Sequence, residues 1–396
     1  FDAFSGLDVN ALAAVSGTLR GGGLFILLSP DIEVWPDFPD PAYQRFLPYS
    51  YTAASIKGLF VKRLLRILHE PFQVTQLAPK IGSSQGDIVE QITHVSSVLV
   101  LSADRGRGKS AALGLAASQL IAQGKQVLVT APSRAAVESV FKHAELVPTF
   151  YAPDDLLLNL PKADVLLVDE AAAIPLHFSL KLVKTYPRVV FSTTLHGYEG
   201  SGRGFVLRFQ QALTELVPDW QSLRLEQPMR WPQHDPLEAL MYRLLLLDIE
   251  AAEIEFKLRA PVEYKQLQPV QLLENEGLLQ QVFGLLVTAH YQTRPSDLQQ
   301  ILDAPNLSIH VLAQNQQILA VALLSREGGF ATELSAAIYA GKRRPHGHLV
   351  PQTLTFHAQL QDAAELICER IMRIAVHPSI QGQGLGQRLV GDLMAY

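Results

Sequence analysis

Residues 98–110 read VLVLSADRGRGKS, and residues 163–175 read ADVLLVDEAAAIP. The first stretch is an apolar strand that enters a glycine turn ending in Gly108, Lys109 and Ser110, and an apolar helix follows it. The second stretch is an apolar strand that ends in Asp169 and Glu170. This order of strand, glycine turn, helix and acid-terminated strand is typical of a P-loop nucleotide site.

The residue types in these stretches suit the parts of a bound nucleoside triphosphate. Backbone N–H groups of the turn and of the helix start cradle phosphates. Lys109 brings positive charge to the terminal phosphates, and Ser110 and Asp169 are placed to hold Mg²⁺. Glu170 is placed to orient the attacking water, so Lys109 and Glu170 are the predicted catalytic residues of ATP hydrolysis. Ala103 replaces the first glycine of the full pattern, which is tolerable where no positive φ is needed.

The composition is that of a globular protein of the reducing cytoplasm. The chain has 396 residues, 48% of them hydrophobic, which suggests two to three domains. No apolar run approaches the ~20 residues that a membrane span needs. Cys368 is the only cysteine, so no intrachain disulfide can form. The net charge of −5 argues against RNA or DNA as a partner unless basic groups are concentrated locally.

Two local basic clusters stand out against this charge. Lys57, Lys62, Arg63 and Arg66 recur at helical spacing, which favours an ordinary solvated helix face. Lys342, Arg343 and Arg344 lie in the loop GKRRPHGH. For this second cluster a solvated loop and a contact to phosphates are equally consistent with the sequence.

The pattern of apolar runs predicts two different folds along the chain. From Val98 onward strands alternate with helices, which predicts a mostly parallel sheet with helices on both faces. Beyond an acidic stretch near residues 245–265, the order becomes α+β, with LSIHVLAQ and QILAVALLS joined by an Asn-Gln turn. We predict a partial N-terminal α/β domain with a linker over 1–80, an ATPase domain over 81–255 and a second catalytic domain over 256–396.

Several connecting segments also carry predictions. The N-terminal run LFILLS predicts a buried strand, and residues 71–85 predict a linker. Residues 195–205, LHGYEGSGRGF, predict a flexible polar loop at the end of a sheet strand. LRLEQPMRWP predicts a strand that ends in Arg230, where an arginine is within reach of a γ-phosphate or is simply exposed.

A second anion-binding motif lies near the C-terminal end of the chain. Gln381, Gly384 and Gly386 form the pattern QxxGxG between the strand RIAVHP and the helix QRLV. Backbone amides at such a loop and helix start bind anions. The motif resembles the pyrophosphate-binding loop of GNAT-type acetyltransferases, and this resemblance implies acetyl-CoA as the ligand.

The strings RGRGKSAALG, VDEAAAIP, GYEGSGRGF, QPMRW, RRPHG and RIAVHP resemble, in this order, those of the RNA cytidine acetyltransferase family. The resemblance covers about residues 85–396, and the compact bacterial members that act on tRNA(Met) are the most similar. It implies a RecA-like P-loop ATPase followed by a GNAT-type domain. It also implies acetyl-CoA, ATP or GTP, and Mg²⁺ as cofactors, and tRNA as partner.

The family's binding residues carry over onto matching positions. The implied ATP-binding residues are Gln85, Ala103, Asp104, Arg105, Gly106, Arg107, Gly108, Lys109, Ser110, Ala111, Ala112 and Arg230. The implied acetyl-CoA-binding residues are Ile374, Ala375, Val376, Gln381, Gly382, Gln383, Gly384, Leu385, Gly386 and Gln387. A GNAT fold continues beyond the helix that holds Tyr396, and the chain has no initiator Met. We therefore expect a fragment of a longer protein, and no base for acetyl transfer emerges.

The resemblance implies formation of N(4)-acetylcytidine at the wobble position of elongator tRNA(Met). Such an enzyme must splay out a stacked anticodon base and place a weakly nucleophilic amine against a thioester. Three alternatives stay open at this point. They are a remodelling ATPase with a non-catalytic second domain, a nucleotide-regulated protein acetyltransferase, and an acetyltransferase of ribosomal RNA.

Overall fold

The computed structural model describes residues 1–70, 85–194, 203–256, 260–289 and 293–395, with the backbone alone for 203–208. Its α-helices are α1 Val9–Ser16, α2 Leu59–His69, α3 Gln85–Thr93, α4 Lys109–Ala122, α5 Glu138–Lys142, α6 Pro153–Asn159, α7 Leu176–Thr185, α8 Arg203–Leu216, α9 Pro236–Leu245, α10 Pro269–Glu274, α11 Glu276–Ala289, α12 Pro295–Asp303, α13 Thr332–Tyr339, α14 Leu349–Gln352 and α15 Leu385–Ala395. Its strands are β1 Val98–Ala103, β2 Val127–Thr130, β3 Thr149–Phe150, β4 Val165–Val168, β5 Val189–Thr194, β6 Gln221–Leu225, β7 Glu263–Leu267, β8 Leu307–Gln314, β9 Gln317–Gly328 and β10 Ile367–Val376.

A six-stranded parallel sheet forms the first half of the fold. Its strand order is β3-β2-β4-β5-β1-β6. All six residues of β1 are buried, because Leu99 and Leu101 enter one apolar cluster and Val98 and Val100 enter another on the opposite face. The strands of a parallel sheet that is covered on both faces have continuous apolar sequences, which explains the sequence VLVLSA. The predicted parallel sheet is confirmed.

The sheet order places β5 between β1 and β4. The chain leaves β1 at the P-loop, β4 at Asp169 and β5 at Thr194, and all three strands are parallel. Parallel strands end at the same sheet edge, so residues distant in sequence meet there. This edge carries the nucleotide site.

The second half of the fold contains a four-stranded antiparallel sheet in the order β10-β9-β8-β7. Asn315 and Gln316 join β8 to β9 with φ of 49° and 67°. Two successive positive φ values make the tight hairpin turn that matches strand twist. The predicted Asn-Gln turn is confirmed, as are the strands RIAVHP and QILAVALLS and the helix after the glycine loop.

Contacts divide the chain into two compact units. One comprises Phe1–Ala13, Phe25–Phe72 and Tyr242–Tyr396, and the other comprises Ala14–Leu24 and Gln73–Met241. The first unit contains the antiparallel sheet and the second contains the parallel sheet. Most of the N-terminal residues therefore group with the C-terminal ones. The predicted domain boundaries at residues 80 and 255 stay a prediction.

Four local predictions are wrong or fall outside the described residues. LFILLS forms no strand, and Leu24 is 79% exposed, because only Leu28 has a bridge partner, Asp2. The strand predicted to end at Arg230 ends at Leu225, since the backbone leaves the edge of β1 there. The predicted linker 71–85 and loop 195–205 lie largely outside the described residues. No helix in the described part of the chain is long and apolar enough to span a membrane.

The solvated-face interpretation of the first basic cluster is also wrong for Arg63. Its guanidinium is fully buried and binds Glu276 through two nitrogens, at 2.6 Å and 3.1 Å to Oε1. It also donates to the carbonyl oxygens of Leu244 and Arg243 at 2.5 Å and 3.1 Å. Arg66 donates to the second oxygen of Glu276 at 2.7 Å. The spacing of basic residues along a helix cannot reveal a partner more than two hundred residues away. The ion pair between α2 and α11 is therefore known only from the tertiary structure.

Candidate active sites

The turn between β1 and α4 has the geometry of a phosphate-binding loop. Gly106 and Gly108 have φ of 78° and 87°, which only glycine adopts without strain. The first hydrogen bond of α4 runs from Ala112 N to Gly108 O at 2.9 Å. The amides of Lys109, Ser110 and Ala111 thus have no backbone acceptor among the described residues. Three free amides and a helix N-terminus favour a bound anion.

Ala103 is compatible with this turn. It is the last residue of β1, fully buried, and its backbone has no positive φ. The glycine of the full pattern is therefore not required here for conformational reasons, as the sequence predicted.

A buried acid faces the loop. Asp169 is fully buried at the end of β4, and its amide donates to Thr130 O at 2.9 Å. Burial raises the pKa of Asp169, while the Ser110 hydroxyl and the Lys109 charge act in the opposite direction. Its Oδ2 atom accepts no well-formed hydrogen bond from the described residues, although the Ser110 and Ser192 hydroxyls face the carboxyl group. A buried carboxylate oxygen beside a P-loop serine fits a Mg²⁺ bound with a nucleotide.

Glu170 follows in a strained backbone conformation. Its φ is 46°, in the left-handed region that costs a non-glycine residue ~1 kcal/mol or more. Thr194 at the end of β5 donates to the carboxylate, with Oγ1 3.4 Å from each oxygen. Backbone strain of this kind persists where the surroundings hold the residue, and it clusters at functional sites. Glu170 and Thr194 both line the cavity that the loop borders.

A cavity of about 420 Å³ collects most of the predicted nucleotide residues. The predicted residues on its wall are Gln85, Arg105, Gly106, Gly108, Lys109, Ser110, Ala111, Glu170 and Arg230. Ala103, Asp104, Arg107, Ala112 and the predicted Mg²⁺ ligand Asp169 do not line it. Arg107 instead forms an ion pair with Glu238 at 2.8 Å, behind the loop. Sequence reasoning missed five further lining residues. Leu115 lies one to two turns farther along α4, Met229 precedes Arg230 in QPMRW, and Ser139, His143 and Thr194 come from other parts of the sheet unit.

The segment after β6 closes one side of this loop. A β-carbon at Gly106 would lie 2.8 Å from the Trp231 ring, and one at Gly108 would lie 2.8 Å from Met229 Cγ. Met229 N donates to Gly106 O at 3.2 Å. Arg230 lies between them with its guanidinium on the carbonyl oxygen of Gly17 at 2.8 Å. QPMRW therefore acts as a packed wall, not as a sheet strand.

The second glycine loop follows the edge strand β10. Gly382 and Gly384 have φ of 78° and 79°, and a β-carbon at either would meet nothing within 4 Å. The conformation requires glycine, and the space in front of it is open. The first hydrogen bond of α15 runs from Arg388 N to Gly384 O at 3.0 Å, so the amides of residues 385–387 have no backbone acceptor among the described residues. Gly386 needs no positive φ, and its β-carbon would only touch Val376 Cγ2 at 3.5 Å.

The strand before this loop keeps one edge unpaired within the described structure. Ile374, Ala375 and Val376 pair with Ala322, Val321 and Ala320 of β9, and β10 ends the sheet order. The outer backbone groups of such a strand are ready to bond an extended ligand. A strand that leads directly into an anion-binding loop fits acetyl-CoA, because strand backbone groups can bond the amide-containing arm and the loop amides can bind the pyrophosphate.

The third predicted cluster is on the surface. Lys342, Arg343 and Arg344 are exposed after α13, and two of them line a separate cavity. Lys342 N and Arg343 N both donate to Ala337 O, at 2.9 Å and 3.3 Å, so the cluster starts from a fixed helix end.

Fold and sites together define a RecA-like P-loop ATPase joined to an α+β GNAT-type domain. Residues 100–149 and 145–248 match the family model described as RNA cytidine acetyltransferase NAT10/TcmA, helicase domain. Residues 281–396 match GNAT acetyltransferase 2. Residues 1–76 match tRNA(Met) cytidine acetyltransferase TmcA, N-terminal.

Curated relatives agree with these models. The chain is 44% identical to tRNA(Met) cytidine acetyltransferase TmcA of Nitrosococcus halophilus, over all of this chain and 60% of that protein. It is 40% identical to the protein of the same name from Vibrio cholerae, over 100% and 58% of the two chains. It is 34% identical to the protein of the same name from Haloarcula marismortui, over all of this chain and 60% of that protein. The chain belongs to the RNA cytidine acetyltransferase family, and it spans about 60% of the length of these relatives.

Proposed function

We propose that this chain carries the nucleotide site and the acetyl-CoA site of an ATP-dependent RNA cytidine acetyltransferase. The reaction moves the acetyl group of acetyl-CoA to the exocyclic amine of cytidine, most specifically at the wobble position of elongator tRNA(Met). One observation carries the proposal. A single chain holds two glycine loops at helix starts, one beside the buried side chains of Lys109 and Asp169 and one directly after the strand β10.

In the nucleotide half, the amides of residues 109–111 and the Lys109 ammonium bind phosphate oxygens. Ser110 and Asp169 would hold a Mg²⁺ ion bound with the nucleotide, and such an ion would supply positive charge to the phosphates. Glu170, held by Thr194, orients the attacking water. Arg230 lines the same cavity, where a guanidinium is suited to stabilise charge on the γ-phosphate.

In the acetyl half, the amides of residues 385–387 bind the pyrophosphate, and Ile374 to Val376 align the acetyl arm through their backbone. The transfer forms a bond between cytosine N4 and the acetyl carbon and breaks the carbon–sulfur bond. Coenzyme A leaves as a thiol, taking up the proton that the amine loses. Preorganised backbone N–H groups are the usual means of stabilising the oxyanion of such a step.

The proposal assigns the protein to the cytoplasm with tRNA as its partner. A protein with one cysteine suits that reducing compartment. Nucleotide hydrolysis then has a physical task, because an anticodon base is stacked and must be unstacked before its amine reaches the thioester.

The test is transfer of radiolabelled acetyl groups from acetyl-CoA to total tRNA, compared with total protein and ribosomal RNA, with and without ATP. We expect label in tRNA, released as N(4)-acetylcytidine after nuclease digestion, and more label with ATP. Label in protein alone contradicts RNA as the substrate. ATP hydrolysis without any acetyl transfer leaves a remodelling ATPase as the better account.

A further inference from the structure

A second large cavity lies in the acetyltransferase half, outside both glycine loops. Its volume is about 750 Å³, within the range of ligand sites. Its wall comes from the loop after α13, from α14 and the π-helix after it, and from β10. The lining residues that bear on its chemistry are Arg343, Arg344, His346, Phe356, His357 and Arg370.

The loop that forms this cavity is held in shape by its own contacts. The Gln352 side chain donates to the carbonyl oxygens of Pro345, Gly347 and His348, at 2.9 Å, 2.5 Å and 3.2 Å. The backbone of Tyr49 donates to His346 O at 2.9 Å, and the His346 ring donates from Nδ1 to Leu47 O at 2.9 Å. A loop fixed in this way loses little conformational entropy when it binds a ligand. This distinguishes it from an ordinary solvated loop.

The charge of the cavity is positive and partly unneutralised. None of the described residues on its wall is acidic. Arg370 is already paired, since its Nε donates to the buried Glu327 at 2.6 Å. No carboxylate in the described ranges forms an ion pair with Arg343 or Arg344, and both side chains are exposed. These two guanidinium groups are therefore available to an anion.

The same wall offers an aromatic face. Phe356 is 44% exposed and lies in the π-helix Thr353–His357. Such π-turns are rare and often occur at functional sites. A β-carbon at Gly341 would lie 3.0 Å from the Phe356 ring, and φ there is 70°, so glycine at this position makes room for the ring. His348 is used structurally, because Gly328 N donates to its Nδ1 at 2.8 Å.

We propose that this cavity binds one unstacked nucleotide of the substrate RNA, a neighbour of the cytidine that is acetylated. Its base stacks on Phe356, and its phosphate binds Arg343 and Arg344. The combination of free guanidinium groups and an exposed aromatic ring is how proteins hold single-stranded RNA without base pairing. The proposal rests on the proposed function and adds the site at which the strand is held open.

The positions of Arg370 and Ile374 along β10 favour binding of a neighbour of the acetylated cytidine, and not of that cytidine itself. Arg370 lines the cavity, and Ile374 begins the segment assigned to the acetyl arm. Four residues of a strand span about 13 Å. A base in the cavity is thus displaced along β10 from the segment assigned to the acetyl arm, as expected for a neighbouring nucleotide of the same RNA strand.

The first experiment compares Phe356→Leu with Phe356→Tyr in binding of tRNA(Met) transcript and of a short oligocytidylate. Leucine keeps apolar volume but removes the ring, so we expect about tenfold weaker binding of both RNAs. Tyrosine keeps the ring, so affinity should stay within about twofold of wild type. Equal affinities for all three proteins, or equal losses in both variants, overturn the stacking assignment. Acetyl-CoA affinity reports whether the domain is folded.

The second experiment removes charge. The double variant Arg343→Ala/Arg344→Ala is compared with Lys181→Ala/Lys184→Ala, which removes two charges from α7 in the other unit. We expect weaker RNA binding for the arginine double variant only. Its plot of log binding constant against log salt concentration should have a slope smaller in magnitude by about 1. Equal slopes in the two double variants contradict the phosphate contact.

Failure of this proposal is separable from failure of the proposed function. If wild type acetylates tRNA and the Phe356 and arginine variants bind RNA normally, the cavity assignment is wrong and the function stands. If wild type binds RNA in this cavity but acetylates no RNA, the function is wrong and the RNA site stands.

Discussion

The turn at Gly106–Ser110 and the turn at Gly382–Leu385 both place positive-φ glycines directly before a helix, but only the first is enclosed by side chains. Trp231, Met229 and Gln85 lie against the first turn, and a buried lysine and aspartate face its open side. The second turn has nothing within 4 Å of its two left-handed glycines. Both turns nevertheless share the same backbone feature for binding an anion, which is a set of amides at a helix start that follows positive-φ glycines.

This difference matches the chemistry proposed for each loop. Hydrolysis of a phosphoanhydride needs cations and a positioned water at the phosphates, so the first loop is surrounded by charged groups. The second loop only has to hold a pyrophosphate while the reaction takes place elsewhere on the cofactor. Binding without catalysis needs amides and space, which glycine provides.

The largest effect is expected from Lys109→Ala. Loss of the main cationic partner of the phosphates should lower ATP hydrolysis by about 10³-fold, since removal of one preorganised charged donor commonly has this size of effect. Acetyl-CoA binding should not change. Lys184→Ala, an exposed lysine of α7, is the matched control. Hydrolysis near the wild-type rate in Lys109→Ala contradicts the assignment of the first loop.

Glu170→Gln separates binding from turnover at the same loop. The amide keeps the shape of the side chain beside Thr194 but loses the charge that orients water. We expect turnover to fall by about 10²-fold with ATP affinity unchanged, because the contact acts only in the transition state. Steady-state hydrolysis and nucleotide titration measure the two quantities. A matched loss of affinity would assign Glu170 to binding instead.

Gly384→Asp tests the second loop. The new side chain adds negative charge and strain at a φ of 79°, so acetyl-CoA affinity should fall by about 10²-fold while ATP affinity persists. Gly391→Asp places the same charge farther along α15, where a β-carbon meets nothing within 4 Å. Calorimetric titration with acetyl-CoA and with ATP measures the two affinities in each variant. Retained acetyl-CoA affinity in Gly384→Asp removes the acetyltransferase proposal.

A smaller contrast is expected between Gly384→Ala and Gly386→Ala. Alanine at 384 must adopt the left-handed region, which costs ~1–2 kcal/mol and should weaken acetyl-CoA binding about tenfold. Alanine at 386 meets only an ordinary contact to Val376 and should change affinity by less than about threefold. The reverse order would show that close approach at 386, and not conformation at 384, dominates the site.

The last prediction concerns stability and not activity, at a buried carboxylate outside both loops. Asp303 accepts from Leu59 N and Phe60 N at 2.6 Å and 3.2 Å, and burial raises its pKa from 3.8 to about 6. A raised folded-state pKa gives stability that is present below pH 3.8 and is lost as pH rises through about 6.

Asp303→Asn should therefore gain stability relative to wild type between pH 4 and pH 7, on the order of 3 kcal/mol at most. Urea unfolding of both proteins across this range measures the difference, because all other titrating groups cancel. A constant difference contradicts the assigned pKa.

The local motifs were predictable because each depends on neighbours in sequence. VLVLSA is buried on both faces, Asn315 and Gln316 turn the hairpin, and the glycines before α4 and α15 have the required φ values. The errors occurred where a long-range partner decides the outcome. LFILLS has no neighbouring strand with which to form a sheet, and QPMRW packs against the phosphate loop. Arg63 forms a buried ion pair with Glu276.

The sequence by itself determined the two anion-binding loops, the parallel sheet, the turn between β8 and β9 and the family, because backbone conformation and apolar periodicity are local properties. Tertiary structure alone decided which side chains surround each loop. Thr194 meets Glu170 because β5 is inserted between β1 and β4, and Trp231 covers Gly106 because the chain turns back after β6. The cavity beside Phe356 likewise exists only because Gln352 and Tyr49 fix the loop after α13. Such contacts join residues that no sequence spacing relates, and only close packing of the folded chain selects them.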